Sequence, residues 1–152
     1  MEKSIKSELI GVFTYNEEMK AYEAHEGKIH WKLDISHEGV DVKEMTKSAE
    51  KLFLRLEEFD KNAKKAIAEK LIAYKNDFWP EYDEDDENLD WDAVEAGEYD
   101  VTKEQFEKAL TLYDIIIRAN DFYCEYDDGD LFGGHRIHTY FDYDGNLLSA
   151  DV

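Results

Sequence analysis

Residues 29–35 of the chain are Ile-His-Trp-Lys-Leu-Asp-Ile, a strict alternation of apolar and polar side chains. A period of two residues is typical of a strand with one buried face and one exposed face. A similar alternation over 9–15, a turn at 16–18 and a second strand over about 21–25 precede this stretch. The sequence therefore predicts that the strand at 29–35 completes a three-stranded meander.

The period changes to that of a helix after this meander. Apolar residues recur at spacings of three and four along 45–78. Asp60 and Asn62 interrupt the stripe, and because both residue types favour helix caps we expect two helices that break near them, with one long helix as the alternative. Pro80 ends the helical region.

The C-terminal third predicts a short helix and four more strands. The segment 102–105, Thr-Lys-Glu-Gln, has the pattern of a capping box that opens a helix to about Ala109. Strands are predicted at about 112–118 and 122–127, then at 135–142, and a last one beyond the Asp-Gly turn at 144–145.

Together these elements predict an α+β fold. The sheet is expected to be antiparallel, with about seven strands, three N-terminal and four C-terminal, packed against two or three helices. We expect a single domain over 1–152 with an acidic loop at about 80–101. The residues expected in the core are Phe13, Trp31, Leu33, Leu52, Leu56, Ile67, Leu71, Ile115, Ile117 and Ile137.

The net charge of the chain is −20, and nearly all of it lies in the second half. Residues 1–75 carry 14 basic and 15 acidic side chains, whereas residues 76–152 carry 4 basic and 23 acidic ones. The densest run, 81–100, has 11 carboxylates and no Lys or Arg. A field of this sign repels phosphate, which argues against binding to nucleic acid or an anionic membrane and favours a basic protein partner or a cation.

The acidic run also contains aromatic side chains, which are enriched at the centres of protein interfaces. We therefore predict a partner-binding surface with three aromatic anchors and three nearby carboxylates: Trp79, Tyr82, Asp83, Asp85, Asp86 and Trp91. Two alternatives remain open. The aromatic residues could pack on the core, as most do in a small domain, and the charge could serve solubility alone.

The case for catalysis or metal binding is thin. His135 and His138 are three apart on a predicted strand, so we expect His135 to face the core and His138 to face the other way with Arg136 and Tyr140, which does not suit a shared zinc ion. Cys124 lies in an apolar strand pattern, as an inert buried thiol would. We expect no catalytic residue, no metal and no cofactor.

Several motifs resemble an uncharacterised bacterial family, the domain-of-unknown-function family 2262. The resemblance spans nearly the whole chain, and its most specific part is the glycine-histidine loop at 128–137, Asp-Gly-Asp-Leu-Phe-Gly-Gly-His-Arg-Ile. Its other parts are Gly11-Val12-Phe13-Thr14-Tyr15-Asn16, Tyr22, Trp31, Asn76-Asp77-Phe78-Trp79 and Thr102-Lys103-Glu104-Gln105-Phe106. The resemblance implies a compact α+β bacterial protein and carries no established activity.

The sequence thus predicts a non-enzymatic acidic binding protein that engages a basic protein partner through its second half. In size and charge it is similar to immunity proteins that neutralise basic nuclease toxins. The alternative is a small enzyme or ligand-binding domain with a pocket near His135, bounded by Tyr126 and Asp130. The lone cysteine, the N-terminal residues and the lack of a long apolar run favour a cytoplasmic protein, either a monomer or a weak homodimer.

Overall fold

A computed structural model describes residues 3–78 and 100–152, apart from the side chains of Glu26 and Phe78. In these ranges the chain forms eight strands and three helices. The strands are β1 (Ser4–Ser7), β2 (Gly11–Asn16), β3 (Ala21–Glu26), β4 (Ile29–Asp34), β5 (Thr111–Ile117), β6 (Phe122–Asp127), β7 (Arg136–Phe141) and β8 (Leu147–Asp151). The helices are α1 (Val42–Leu54), α2 (Leu56–Phe78) and α3 (Lys103–Ala109).

The eight strands form one sheet in sequence order, β1 to β8. The predicted α+β class is confirmed, with one strand more than expected, because β1 pairs with β2. The expectation of a wholly antiparallel sheet is wrong at one place, since β4 and β5 run parallel, with Trp31 opposite Ile115. A parallel pair needs a long crossover, which the helical region between the two strands supplies.

The helical region breaks at Arg55 and not near Asp60 and Asn62. The Arg55 N–H donates to the carbonyls of Leu52 and Phe53 and so ends α1. Asp60 lies inside α2, where Lys64 one turn later pairs with it at 3.0 Å. This contact and others made by the Asp60 carboxylate offset its weak helix propensity.

The core lies between the helices and one face of the sheet. Nine of the ten residues expected in the core are buried, and Leu56, at the start of α2, is partly buried against it. The predicted capping box is confirmed: Thr102 Oγ1 accepts from the Gln105 N–H at 3.1 Å, and Gln105 Oε1 accepts from the Thr102 N–H at 2.9 Å.

Candidate functional site

The predicted partner-binding residues Trp79, Tyr82, Asp83, Asp85, Asp86 and Trp91 lie outside the described residues. Their role stays a prediction. The described part of the acidic second half comprises the end of α2 and residues 100–152, which contain α3 and β5 to β8.

The glycine-histidine loop between β6 and β7 is organised by the carboxylate of Asp128. This side chain is 1% exposed. Its Oδ1 accepts from the Asp130 N–H at 2.9 Å, and its Oδ2 accepts from the N–H groups of Phe132, Gly134 and His135 at 2.9, 3.1 and 3.1 Å. Four backbone donors thus converge on one buried carboxylate, which fixes the path of the loop.

The three residues predicted to bound a pocket, Tyr126, Asp130 and His135, differ in burial. Tyr126 is fully buried, and its hydroxyl donates to Asp60 Oδ1 on α2 at 2.9 Å. Asp130 and His135 belong to the loop around Asp128 and are exposed. The expectation that His135 faces the core is therefore wrong, because this residue precedes β7 and its backbone follows the turn around Asp128.

The face of the sheet opposite the core carries polar and aromatic side chains, and we call it the polar face. It is formed by the residues of β3 to β7, and the one after β5, that alternate with the core positions. These residues are Glu23, His25, His30, Lys32, Asp34, Asp114, Ile116, Arg118, Tyr123, Glu125, Asp127, Arg136, His138 and Tyr140. The prediction that His138 lies on one face with Arg136 and Tyr140 is confirmed.

A row of titratable groups crosses the middle of the polar face. The Tyr123 hydroxyl hydrogen-bonds His138 Nδ1, and Glu125 Oε1 lies 3.6 Å from the same nitrogen. Glu125 in turn shares a hydrogen bond with Asp114. Asp114 Oδ1 lies 3.4 Å from His30 Nδ1 on the parallel strand β4. Four strands thereby contribute to one network.

The network continues onto β3 through His30. His30 Nε2 and Lys32 Nζ each lie 3.7 Å from Glu23 Oε1. The rings of His25 and His30 stack at 4.3 Å. Burial and the positive charges of His25 and Lys32 lower the pKa of His30, which favours its neutral form.

Two carboxyl groups face each other at the centre of the network. Asp114 and Glu125 lie directly opposite each other on β5 and β6. Burial, the hydrogen bond to Asp114 and the charge of Asp114 raise the pKa of Glu125. The raised pKa means that the folded state favours the protonated form of Glu125 more than the unfolded chain does.

We expect Glu125→Gln to stabilise the protein by about 0.5–1 kcal/mol at neutral pH, because it removes one of two like charges facing each other across strands. Because the pKa of Glu125 is raised in the folded state, Glu125 stabilises the fold at low pH, and this contribution is lost as the pH rises through the folded pKa. The gain from the substitution must therefore shrink towards acid pH. Urea unfolding at pH 7.5 and 4.5, on the order of three units apart, measures this dependence.

Asp127→Asn is the matched control for this prediction. It also removes one charge from β6, but Asp127 faces Arg136, whose Nη1 lies 3.9 Å from its Oδ2. We expect no gain in stability from it at either pH. A gain from Glu125→Gln that did not depend on pH would contradict the raised pKa of Glu125.

A depression of about 420 Å³, open to solvent and called the cavity below, lies beside this network on the polar face. Its walls are Asp34, Ile116, Arg118, Tyr123, His138 and Tyr140. The rings of Tyr123 and Tyr140 meet edge to face at 5.2 Å, and the ring of His138 lies 6.0 Å from that of Tyr123. Within the described residues, the cavity is thus shaped mainly by aromatic rings and contains none of the three predicted pocket residues.

Two arginine side chains stack on tyrosine rings on the polar face or at its edge. The guanidinium of Arg118 lies 5.0 Å from the centre of the Tyr140 ring, and its Nε lies 3.2 Å from Asp121 Oδ1. The guanidinium of Arg136 lies 3.9 Å from the centre of the Tyr113 ring. The surface therefore combines aromatic stacking and carboxylates, which is the chemistry that binds planar cations.

Two other segments considered for chemistry have structural roles. Cys124 is fully buried, and burial followed by the charge of Asp60 raises the pKa of its thiol, as expected for an inert cysteine. Asp142 Oδ1 accepts from the N–H groups of Asp144 and Asn146 at 3.0 and 2.9 Å, which confirms the predicted hairpin turn. Within 3–78 and 100–152, no group of three or more His, Cys, Asp or Glu residues is placed to hold a metal ion.

Sequence reasoning did not assign a site to the polar face. The signal was present in part, because Tyr123, Glu125 and His138 occupy the polar positions of strands that were predicted correctly. The missing information was the pairing of β4 with β5, which brings His30 beside Asp114. The alternation of apolar and polar residues assigns each side chain to one face of the sheet, but it does not say which strand pairs with which.

Comparison with known proteins gives a family and no activity. A family described as "Uncharacterized protein conserved in bacteria (DUF2262)" matches residues 7–152. No curated protein and no solved structure matches the chain. The helices of residues 3–78 and 100–152 contain no segment with the length and hydrophobicity of a membrane span.

Proposed function

The chain belongs to this uncharacterised bacterial family, and we propose that it is a non-enzymatic acidic binding protein that engages a basic protein partner through its second half. It acts by occupying the partner's basic surface, as immunity proteins do. The observation that carries the proposal is the charge distribution, with 23 acidic and 4 basic residues in 76–152 against a nearly neutral first half. A surface of this kind steers a basic partner towards it and repels phosphate.

The contacts of the basic residues in the second half support the proposal. Two of the four, Arg118 and Arg136, are paired with carboxylates and stacked on tyrosine rings within the chain. The 23 acidic residues of this half, by contrast, far outnumber its four basic ones, so most of its carboxylates have no cation of the same half to pair with. Negative charge that the protein does not neutralise itself is available to a partner.

We place this interaction in the cytoplasm. A single buried cysteine, Cys124, suits a reducing compartment, because it needs no oxidised partner for stability. We further propose that the protein acts without a cofactor and does not bind nucleic acid or membranes, since phosphate groups are repelled by its field. A monomer or a weak homodimer suits the role.

An enzyme or ligand-binding domain with a pocket near His135 is the second candidate. The geometry favours it less, because the hydroxyl of Tyr126 is engaged with Asp60 and the loop around Asp128 leaves Asp130 and His135 exposed.

The test is affinity capture from a lysate of the host with three baits, at low salt and at high salt. The baits are the wild-type protein, the variant Asp83→Lys/Asp85→Lys/Asp86→Lys, and a control variant with the same change of net charge in the first half, Glu17→Lys/Glu18→Lys/Glu38→Lys. The three control positions are exposed. We expect the wild type and the control to retain a basic protein at low salt only, and the second-half variant to lose it.

The purified partner then allows the effect to be measured. Reversing three charges at the binding surface is expected to slow association about tenfold or more at low salt, whereas the control changes it far less. Capture that is unaffected by the second-half variant, or lost equally with the control, would contradict the proposal.

A further inference from the structure

The cavity on the polar face has aromatic walls and a carboxylate in its lining. Tyr123 and Tyr140 form one side, and Ile116 lies opposite Tyr123 on β5. Asp34, the last residue of β4, also lines the cavity. One of its oxygens, Oδ1, accepts from the Ser36 N–H at 2.9 Å, and a carboxylate can accept several further hydrogen bonds.

The chain places two of its own arginine side chains on tyrosine rings of this surface. Arg118 stacks on Tyr140 while its Nε approaches Asp121, and Arg136 stacks on Tyr113. In each case a planar guanidinium lies over a tyrosine ring on the polar face or at its edge. The cavity offers the same combination a third time, because it contains the ring of Tyr123 and the carboxylate of Asp34.

Charge excludes most other occupants of the cavity. The whole chain carries −20, and in the lining the charge of Arg118 is offset by Asp121 at 3.2 Å, which leaves the carboxylate of Asp34 to repel a phosphate or carboxylate ligand. A lysine ammonium is a strongly hydrated point charge and gains less from an aromatic wall than a guanidinium does. Only arginine combines an apolar stem, a stacking plane and paired donors that match a carboxylate.

We propose that this cavity receives an arginine side chain of the basic partner, with its guanidinium between the ring of Tyr123 and the carboxylate of Asp34 and its stem against Ile116. The inference rests on the proposed function and gives it a specific contact. It also places part of the recognition surface on the sheet, in addition to the acidic run at 81–100.

The test uses N-acetyl-arginine amide as the probe and does not need the partner. Titration into the isotopically labelled protein, followed by two-dimensional NMR, is expected to shift resonances of Ile116, Tyr123 and His138. N-acetyl-lysine amide, with the same charge, is expected to bind about threefold more weakly or worse, since it cannot stack or bind in a bidentate way.

Asp34→Asn is expected to weaken arginine binding about fivefold, because it removes the charge-assisted hydrogen bonds. Asp77→Asn is the matched control, since it removes one charge at an exposed position on α2. The amide spectrum of each variant shows whether it is folded. Tyr123→Phe keeps the aromatic ring and is expected to retain most of the affinity, which separates stacking from any role of the hydroxyl.

Three results would overturn the inference: equal binding of the arginine and lysine probes, equal losses in the Asp34 and Asp77 variants, or shifts confined to other surfaces. If one of these is found while capture of the partner still depends on Asp83, Asp85 and Asp86, the arginine site fails and the proposed function stands. If capture shows no such dependence, the proposed function fails whatever the probe does.

Discussion

Asp128→Asn is expected to lower the free energy of unfolding by about 3–4 kcal/mol, the range in which breaking a buried charged network falls. The carboxylate is 1% exposed and accepts from four backbone N–H groups. An asparagine keeps one oxygen but turns an NH₂ group towards donors, so at least one N–H loses its acceptor. The N–H of Phe132, whose ring is fully buried against Tyr74 and Phe106, is among the four.

Asp130→Asn is the matched control, because it makes the same change two residues later on an exposed side chain. Asp130 has a φ of 67°, and asparagine tolerates this left-handed conformation. We expect its effect to stay within about 0.5 kcal/mol, as for surface substitutions in general. Urea unfolding followed by circular dichroism measures both variants, and similar losses from the two would contradict the role given to Asp128.

The glycine-histidine loop shows how far a local motif predicts its own structure. Sequence reasoning looked for chemistry at His135, but the side chain that organises the segment is Asp128, and His135 contributes a backbone N–H to it. The Asp-Gly-Asp pattern at 128–130 indicated a turn. Which of its carboxylates becomes the buried acceptor depends on how the loop closes over α3, and no local pattern contains that information.

The strands could be predicted where their pattern is local. The alternation over 29–35 and over 122–127 gave β4 and β6 to within about a residue, because the period of two follows from having one buried face. The strand β1 was missed because Ser4–Ser7 is short and mostly polar and is defined by its pairing with β2. The parallel pairing of β4 with β5 joins segments about 80 residues apart in sequence and has no local signal.

The polar face shows the same limit for the candidate site. Its residues were visible as the polar half of predicted strands, yet a polar position on a strand is usually only solvated. What makes these positions a candidate is register, which sets Glu125 opposite both Asp114 and His138. The predicted helix break near Asp60 is the opposite case. Asp60 has a weak propensity for helix, yet it lies inside α2, where it contacts Lys64 and Tyr126. The contact of Asp60 with Tyr126 and the register of the sheet both join segments far apart in sequence.

Gly129→Ala is expected to destabilise the protein by about 3 kcal/mol or more, from backbone strain and a steric clash together. Gly129 has a φ of +57°, a conformation that costs an alanine energy. A Cβ at this position would lie 2.4 Å from the carbonyl oxygen of Ala109 and 3.0 Å from its Cβ. Ala109 is the last residue of α3, just before β5. The added methyl group therefore clashes with backbone, which cannot move away as the end of a flexible side chain could.

Gly27→Ala separates the two contributions. Gly27 has a φ of +59°, almost the same as Gly129, but no described atom lies within 4 Å of a Cβ built on it. We expect this control to lose only the cost of the left-handed backbone, about 1–2 kcal/mol. The difference between the variants in urea unfolding then measures the contact with Ala109. Equal losses would mean that the loop moves away from α3 at no cost, which is incompatible with a loop held rigidly by Asp128.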